Sequence, residues 1–213
     1  MSDADELVFY SHPMSRSRIV RWMLEEIGAP YETKILEFGH SMKAPSYLAI
    51  NPMGKVPAIR HGETVVTEAA AICAYLADAF PAAGLAPPLG SRERGPYYRW
   101  LFFGAGPVEA AVTDKALGFV IPAEREGMVG YGNLERTLAA LEGALYRTDY
   151  LAGDRFTAAD VYVGQLIGWH MAAGIVDRRP AFEDYWARLR KRPAAIRAKA
   201  IDDALVEQRK IAS

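Results

Sequence analysis

The chain has 213 residues, 51% hydrophobic and 24% charged, enough for one domain or two small ones with a buried core. With 25 Lys and Arg against 26 Asp and Glu, its formal net charge of −1 offers no footprint for nucleic acid or an anionic membrane. A single cysteine excludes an intrachain disulfide and points to a reducing compartment, the cytoplasm. The acidic start, Met-Ser-Asp-Ala-Asp-Glu, has no apolar core and does not read as a signal peptide, and no apolar run approaches a membrane span.

In chain order, Leu7–Tyr10 reads as a short buried strand ending at the loop Ser11-His12-Pro13-Met14. From Ser15, Ile19, Trp22, Met23 and Ile27 recur at helical spacing; Gly28 caps the helix and Pro30 prevents its continuation. Tyr31–Leu36 reads as a second strand, making a parallel strand–helix–strand unit. Residues 37–53 read as irregular and polar. Val56–Arg60 and Thr64–Thr67 form a hairpin about His61-Gly62-Glu63, and Glu68–Phe80 is a helix stopped by Pro81. This order predicts a thioredoxin-like domain over residues 1–80. Residues 81–90, dominated by Pro, Gly and Ala, read as a linker.

Beyond the linker no strand alternation occurs. Residues 91–119 and 133–148 read as helical, with Gly104, Gly106 and Pro107 bending the first. Thr157 and Asp160 form a capping box, with Phe156 and Val161 as its hydrophobic staple. The helix that follows, through Val163, Leu166, Ile167 and Trp169, is apolar enough to be the core of an all-helical domain over 91–213. The fold class is therefore α+β, an N-terminal thioredoxin-like domain with a C-terminal all-helical domain.

Chemistry concentrates at Val56-Pro57 and Glu68. A proline at a strand entrance cannot donate to the ladder, and a helix opening at Glu68 gathers unpaired N–H groups that suit an anion. Together they suit a small, extended, negatively charged peptide. No metal-ligand cluster, phosphate loop or serine–histidine–acid arrangement stands out among four histidines. Cys73, inside a helical pattern, reads as a small buried residue rather than a nucleophile.

Four segments in order resemble the cytosolic glutathione S-transferases over nearly the whole chain. They are Phe9-Tyr10-Ser11-His12-Pro13-Met14-Ser15-Arg16-Ser17 with Trp22-Met23-Leu24-Glu25-Glu26-Ile27-Gly28; Asn51-Pro52-Met53-Gly54-Lys55-Val56-Pro57; Glu68 with Ile72, Tyr75 and Leu76; and the Thr157–Asp160 box. The resemblance implies a serine-type bacterial member that uses glutathione as co-substrate, without a metal. It would attack a small hydrophobic electrophile held by the helical domain, and act as a homodimer.

On this resemblance Val56-Pro57 is a cis turn whose Val56 N–H and C=O pair with the cysteinyl backbone of glutathione, the alternative being a trans proline opening an edge strand. Glu68 binds the γ-glutamyl α-amino group while helix-start amides hold the α-carboxylate; the alternative is an acidic first turn with Thr67 as N-cap. Ala69 stands where the family has a hydroxyl residue, a loss of about 1–3 kcal/mol if nothing replaces it. Lys55, His40 and Lys43 lie where the family contacts the glycyl end, or are solvated loop charges. The serine-type catalytic position aligns with Met14, which cannot donate, and a one-residue shift selects Ser15. Ser11 and Ser17 remain alternatives, and so does a role for Ser15 as a plain helix cap.

Tyr97, Tyr98, Trp100, Phe102 and Phe103 either wall the electrophile pocket or form core and dimer contacts. Solvated charge is the default for Arg16, Arg18 and Arg21. The functional alternatives are a non-catalytic dimerisation or interaction module on the same fold, and a glutathione-dependent peroxidase, isomerase or dehalogenase.

Overall fold

The computed structural model describes residues 6–212; residues 1–5, most of the stretch weighed above as a signal peptide, lie outside them. Four strands, β1 (Leu7–Ser11), β2 (Glu32–Ile35), β3 (Ala58–His61) and β4 (Thr64–Thr67), form one sheet in the order β2-β1-β3-β4. β1 runs parallel to β2 and antiparallel to β3, and β3 is antiparallel to β4. β1 is buried along its whole length, which is why its sequence is a continuous apolar run and not an alternation. One face of the pleat carries Val8, Tyr10 and Ala58 against Met42 and Tyr47.

Helix α1 (Ser17–Ile27) ends as its sequence predicts, at Gly28 in the left-handed region with φ 68°. The stretch expected to be irregular contains a 3-10 turn, Ser41–Lys43, and a one-turn helix, α2 (Pro45–Leu48), opened by its proline. Helix α3 (Ala69–Ala79) follows β4.

The chain divides into two compact units, residues 1–83 with 192–213, and residues 84–191. The helical domain was expected to run to residue 213, yet α9 (Pro193–Ala212) belongs to the first unit. Its partner is α1, with complementary charge. Arg18 Nη1 meets Asp203 at 2.7 Å, Arg192 grips Glu26 at 2.6 and 2.8 Å, and Arg197 meets Glu25 at 3.0 Å. Arg21, expected to be solvated, is 2% exposed. It pairs with Asp202 at 3.2 Å, donates to Tyr31 Oη and Thr33 Oγ1, and lies 4.9 Å above the Phe9 ring. Those partners replace part of the solvation that burial removes, while Nη2 is buried with no hydrogen-bond partner among the described residues.

The second unit holds α4 (Arg94–Phe103), α5 (Glu109–Leu117), α6 (Leu134–Leu145), α7 (Ala158–Ala172) and α8 (Pro180–Leu189). The predicted bend is a π-helical turn at Gly104–Val108. A Cβ on Gly104 would come within 2.9 Å of the Tyr162 and Val163 side chains, so glycine permits this close approach to α7. The expected linker is tied down at Leu85, which is buried and whose carbonyl accepts the Ala158 N–H at 2.8 Å. The capping box forms at the start of α7, Asp160 accepting the Thr157 amide at 2.8 Å.

Candidate active site

Sheet register gathers the expected residues at one end of the first unit. Tyr10 pairs with Ala58, and Ala58 with Thr67. One residue further, Ser11, Pro57 and Glu68 therefore lie side by side. Ser11 also pairs with Ile35, so the loop carrying His40 and Lys43 leaves from the same end.

The Val56–Pro57 bond is cis, as the resemblance implies. Among the described residues neither the amide nor the carbonyl of Val56 takes part in a hydrogen bond, and the side chain is half-buried. The approach to this pair is tight: Gly54 has φ 57°, and a Cβ there would lie 2.6 Å from the Met42 carbonyl oxygen. Lys55 is exposed beside Val56; Lys43 is also exposed, and its Nζ donates to the Met53 carbonyl at 3.0 Å. His40 is exposed, with its main chain closing the 3-10 turn.

Glu68, not Thr67, is the N-cap of α3, and its φ of 66° with ψ 118° is a conformation that L residues rarely adopt. Such a conformation costs on the order of 1–3 kcal/mol and is found where a site requires it. The Glu68 carboxylate caps nothing and is exposed. The amides of the following turn, beginning at the buried Ala69, have no intrahelical acceptor.

In the loop before α1, Ser15 is partly exposed, whereas Ser11 and Ser17 are sealed at 0% exposure and Met14 points outward at 63%. Ser15 Oγ donates to the His12 carbonyl at 2.7 Å and accepts the Ser17 N–H at 3.1 Å. Ser17 Oγ lies 2.9 Å from it and accepts the His12 N–H at 3.3 Å. The Ser15 oxygen is thus held in place, with its proton directed toward the His12 carbonyl or Ser17 Oγ.

His12 fixes this loop through its ring. Nδ1 lies 3.2 Å from the Met14 amide and accepts its proton, so the imidazole is neutral with its proton on Nε2. Burial and the Arg209 charge hold its pKa below 6.5 against the opposing pull of Glu37. The unfolded chain then takes the proton first, so stability is full above pH 6.5 and falls as pH drops below it. Denaturant midpoints at about pH 7.5 and about pH 5.5 should show a smaller decline in His12→Gln than in wild type; equal declines would assign the slope to other groups.

Comparison with known proteins places the chain in a family. Residues 13–79 match the family described as glutathione S-transferase, N-terminal domain, and residues 111–193 the C-terminal domain. A glutathione S-transferase of Arabidopsis thaliana is 31% identical over 169 residues, 73% of this chain and 76% of that protein. The chain belongs to the glutathione S-transferase family. Among solved structures, a glutathione transferase from Methylococcus capsulatus superposes with TM-score 0.78 at 29% identity, covering 93% of this chain and 99% of that one. A sphingomonad glutathione S-transferase complexed with glutathione gives 0.75 at 30% identity, covering 92% and 98%.

Within this transferase fold, other positions sort by burial. Tyr97 and Trp100 are core at 0% and 3% exposure, while Tyr98 and Phe102 are open at 40% and 74%. Cys73 is fully buried, and burial pushes its thiol pKa far up, so it is no nucleophile. Among the described residues no group of three or more His, Cys, Asp or Glu is placed to hold a metal ion. The sequence reading missed Tyr47, which donates to the Lys55 carbonyl at 2.6 Å from eight residues away. Asn51 stood inside the quoted motif, but its task, donating to the same oxygen at 2.8 Å, did not show.

Proposed function

We propose that this glutathione transferase binds glutathione along Val56, Pro57, Glu68 and Ala69, and activates the thiol with Ser15. The carrying observation is the open main chain of Val56 beside a strained, exposed Glu68 at a helix start. Cysteinyl backbone of glutathione would pair with Val56 as an added strand, its γ-glutamyl carboxylate with the first amides of α3, and its α-amino group with the Glu68 carboxylate. Lys55, His40 and Lys43 surround the glycyl end; Lys43 would exchange its Met53 contact for the ligand.

In the reaction the Ser15 hydroxyl swings its proton from the His12 carbonyl to the sulfur, stabilising the thiolate. The thiol proton passes to water. The sulfur lone pair forms a bond to an electrophilic carbon, and the leaving group departs with its bonding electrons. The electrophile is small and hydrophobic, and the open aromatic rings of Tyr98 and Phe102 in the helical unit are available to a second copy in a homodimer. The lone buried thiol supports a cytoplasmic setting; among the described residues no helix is long and apolar enough to cross a membrane.

Glu68→Gln should weaken glutathione binding about tenfold by calorimetry, because a charge-assisted bond to the α-amino group is lost. Its melting temperature should stay unchanged, since this carboxylate caps nothing. Binding as tight as wild type would remove Glu68 from the site.

A further inference from the structure

The carbonyl oxygen of Lys55 is gripped twice, by the Tyr47 hydroxyl at 2.6 Å and by Asn51 Nδ2 at 2.8 Å. Both donors are themselves fixed. Tyr47 is 3% exposed and packs its ring 5.5 Å from that of Tyr10; burial pushes its pKa up to about 12, so the hydroxyl remains a donor. Asn51 is 4% exposed, its Oδ1 accepts the Met53 N–H at 3.1 Å, and its own N–H donates to the Tyr47 carbonyl at 2.8 Å. Two donors fill both lone pairs of the Lys55 oxygen, so that oxygen has no reason to turn toward water.

The Lys55–Val56 peptide is a rigid trans plane, in which the C=O and the following N–H point in opposite directions. Holding the oxygen toward α2 therefore directs the Val56 N–H away from it, into the open end of the sheet. A single donor would let the plane rock; two converging donors restrict it. We infer that Tyr47 and Asn51 are positioning residues for glutathione, aiming the Val56 amide by gripping the carbonyl at the far side of its peptide plane. The inference rests on the reading of Val56 as the peptide-pairing group. Neither residue touches the ligand; both act through one shared oxygen.

Tyr47→Phe removes the hydroxyl and leaves the ring packing intact, and Asn51→Asp removes the donor while keeping the acceptor for Met53. Each should raise both the Kd and the KM for glutathione about threefold to tenfold. At saturating glutathione, kcat and the KM for a chlorinated nitroarene should stay within about twofold, because a preorganised binding group has been loosened without touching the reacting atoms. In protein labelled with ¹⁵N-valine, glutathione should shift the Val56 amide signal strongly in wild type and weakly in Tyr47→Phe. Wild-type glutathione affinity in both variants, even with a lowered melting temperature, would reduce the grip to a structural contact and overturn the inference alone. Wild-type protein that shows no saturable glutathione binding would overturn the site reading and this role with it.

Discussion

Ser15→Ala is expected to lower kcat about a hundredfold or more while glutathione affinity stays within about threefold. A free thiol has a pKa near ~8.5 and is mostly protonated at neutral pH, so in the proposed mechanism the hydroxyl would act by favouring the anion. Ser15 is the one of three loop hydroxyls that reaches the surface; Ser11 and Ser17 are closed off. Its oxygen accepts the Ser17 amide while its proton goes to the His12 carbonyl, so rotation about the C–O bond would redirect that proton. Accepting from Ser17 also polarises the Ser15 O–H and strengthens it as a donor. In the variant the pKa of bound glutathione, followed by thiolate absorbance, should return toward ~8.5, and the rate should climb with pH where wild type is already flat. Ser15→Thr, which keeps the hydroxyl, should recover much of the rate. An unchanged thiol pKa in Ser15→Ala would transfer the role to the amides at the start of α1.

Asp160→Ala should destabilise the protein by about 4 kcal/mol and lower its melting temperature by on the order of 10 °C. The carboxylate is 0% exposed and accepts from the Leu151 amide at 2.8 Å, the Thr157 amide at 2.8 Å, the Thr157 hydroxyl at 3.0 Å and the Tyr185 hydroxyl at 2.8 Å. Burial pushes its pKa up, and these donors pull it back. Alanine removes the acceptor but leaves every donor buried, which costs more than deleting a whole hydrogen-bonded pair. The residue therefore ties the start of α7 to the preceding loop and to α8, well beyond capping one helix. Asp160→Asn, which keeps one acceptor, should lose about half as much. A melting temperature within about 2 °C of wild type for Asp160→Ala would show that water or a rearranged loop satisfies those donors.

Much of the fold was legible because its signals are local. The apolar run of β1, the Gly28 cap, the hairpin at His61-Gly62-Glu63 and the Thr157–Asp160 box each depend on residues within a few positions. Val56-Pro57 and Glu68 were legible for the same reason, as a proline at a strand entrance and an acid at a helix start. The strain at Glu68 was not, since an acidic residue at a helix start does not by itself announce a φ of 66°. Arg21 looked like surface charge because its partner, Asp202, lies 181 residues away, and no periodicity relates two such positions. The grouping of α9 with the first unit was equally illegible, since local sequence does not say which surface a helix packs against.

At the candidate active site, local chemistry decides which residue types can serve. A backbone that can pair, a carboxylate and a hydroxyl are properties of residues and turns, and they survive any packing that keeps the turn. Which of them meet is decided by register and by long-range contacts. The pairing Tyr10–Ala58–Thr67 sets Ser11, Pro57 and Glu68 abreast, and burial of the other two hydroxyls leaves Ser15 open. The Tyr47 hydroxyl reaches the Lys55 oxygen because Tyr47 of α2 packs, with Met42, against Val8, Tyr10 and Ala58 of the sheet. Local propensity is carried by neighbouring residues. Direction, exposure and partner choice are properties of surfaces brought together, and exist only once the chain has closed on itself.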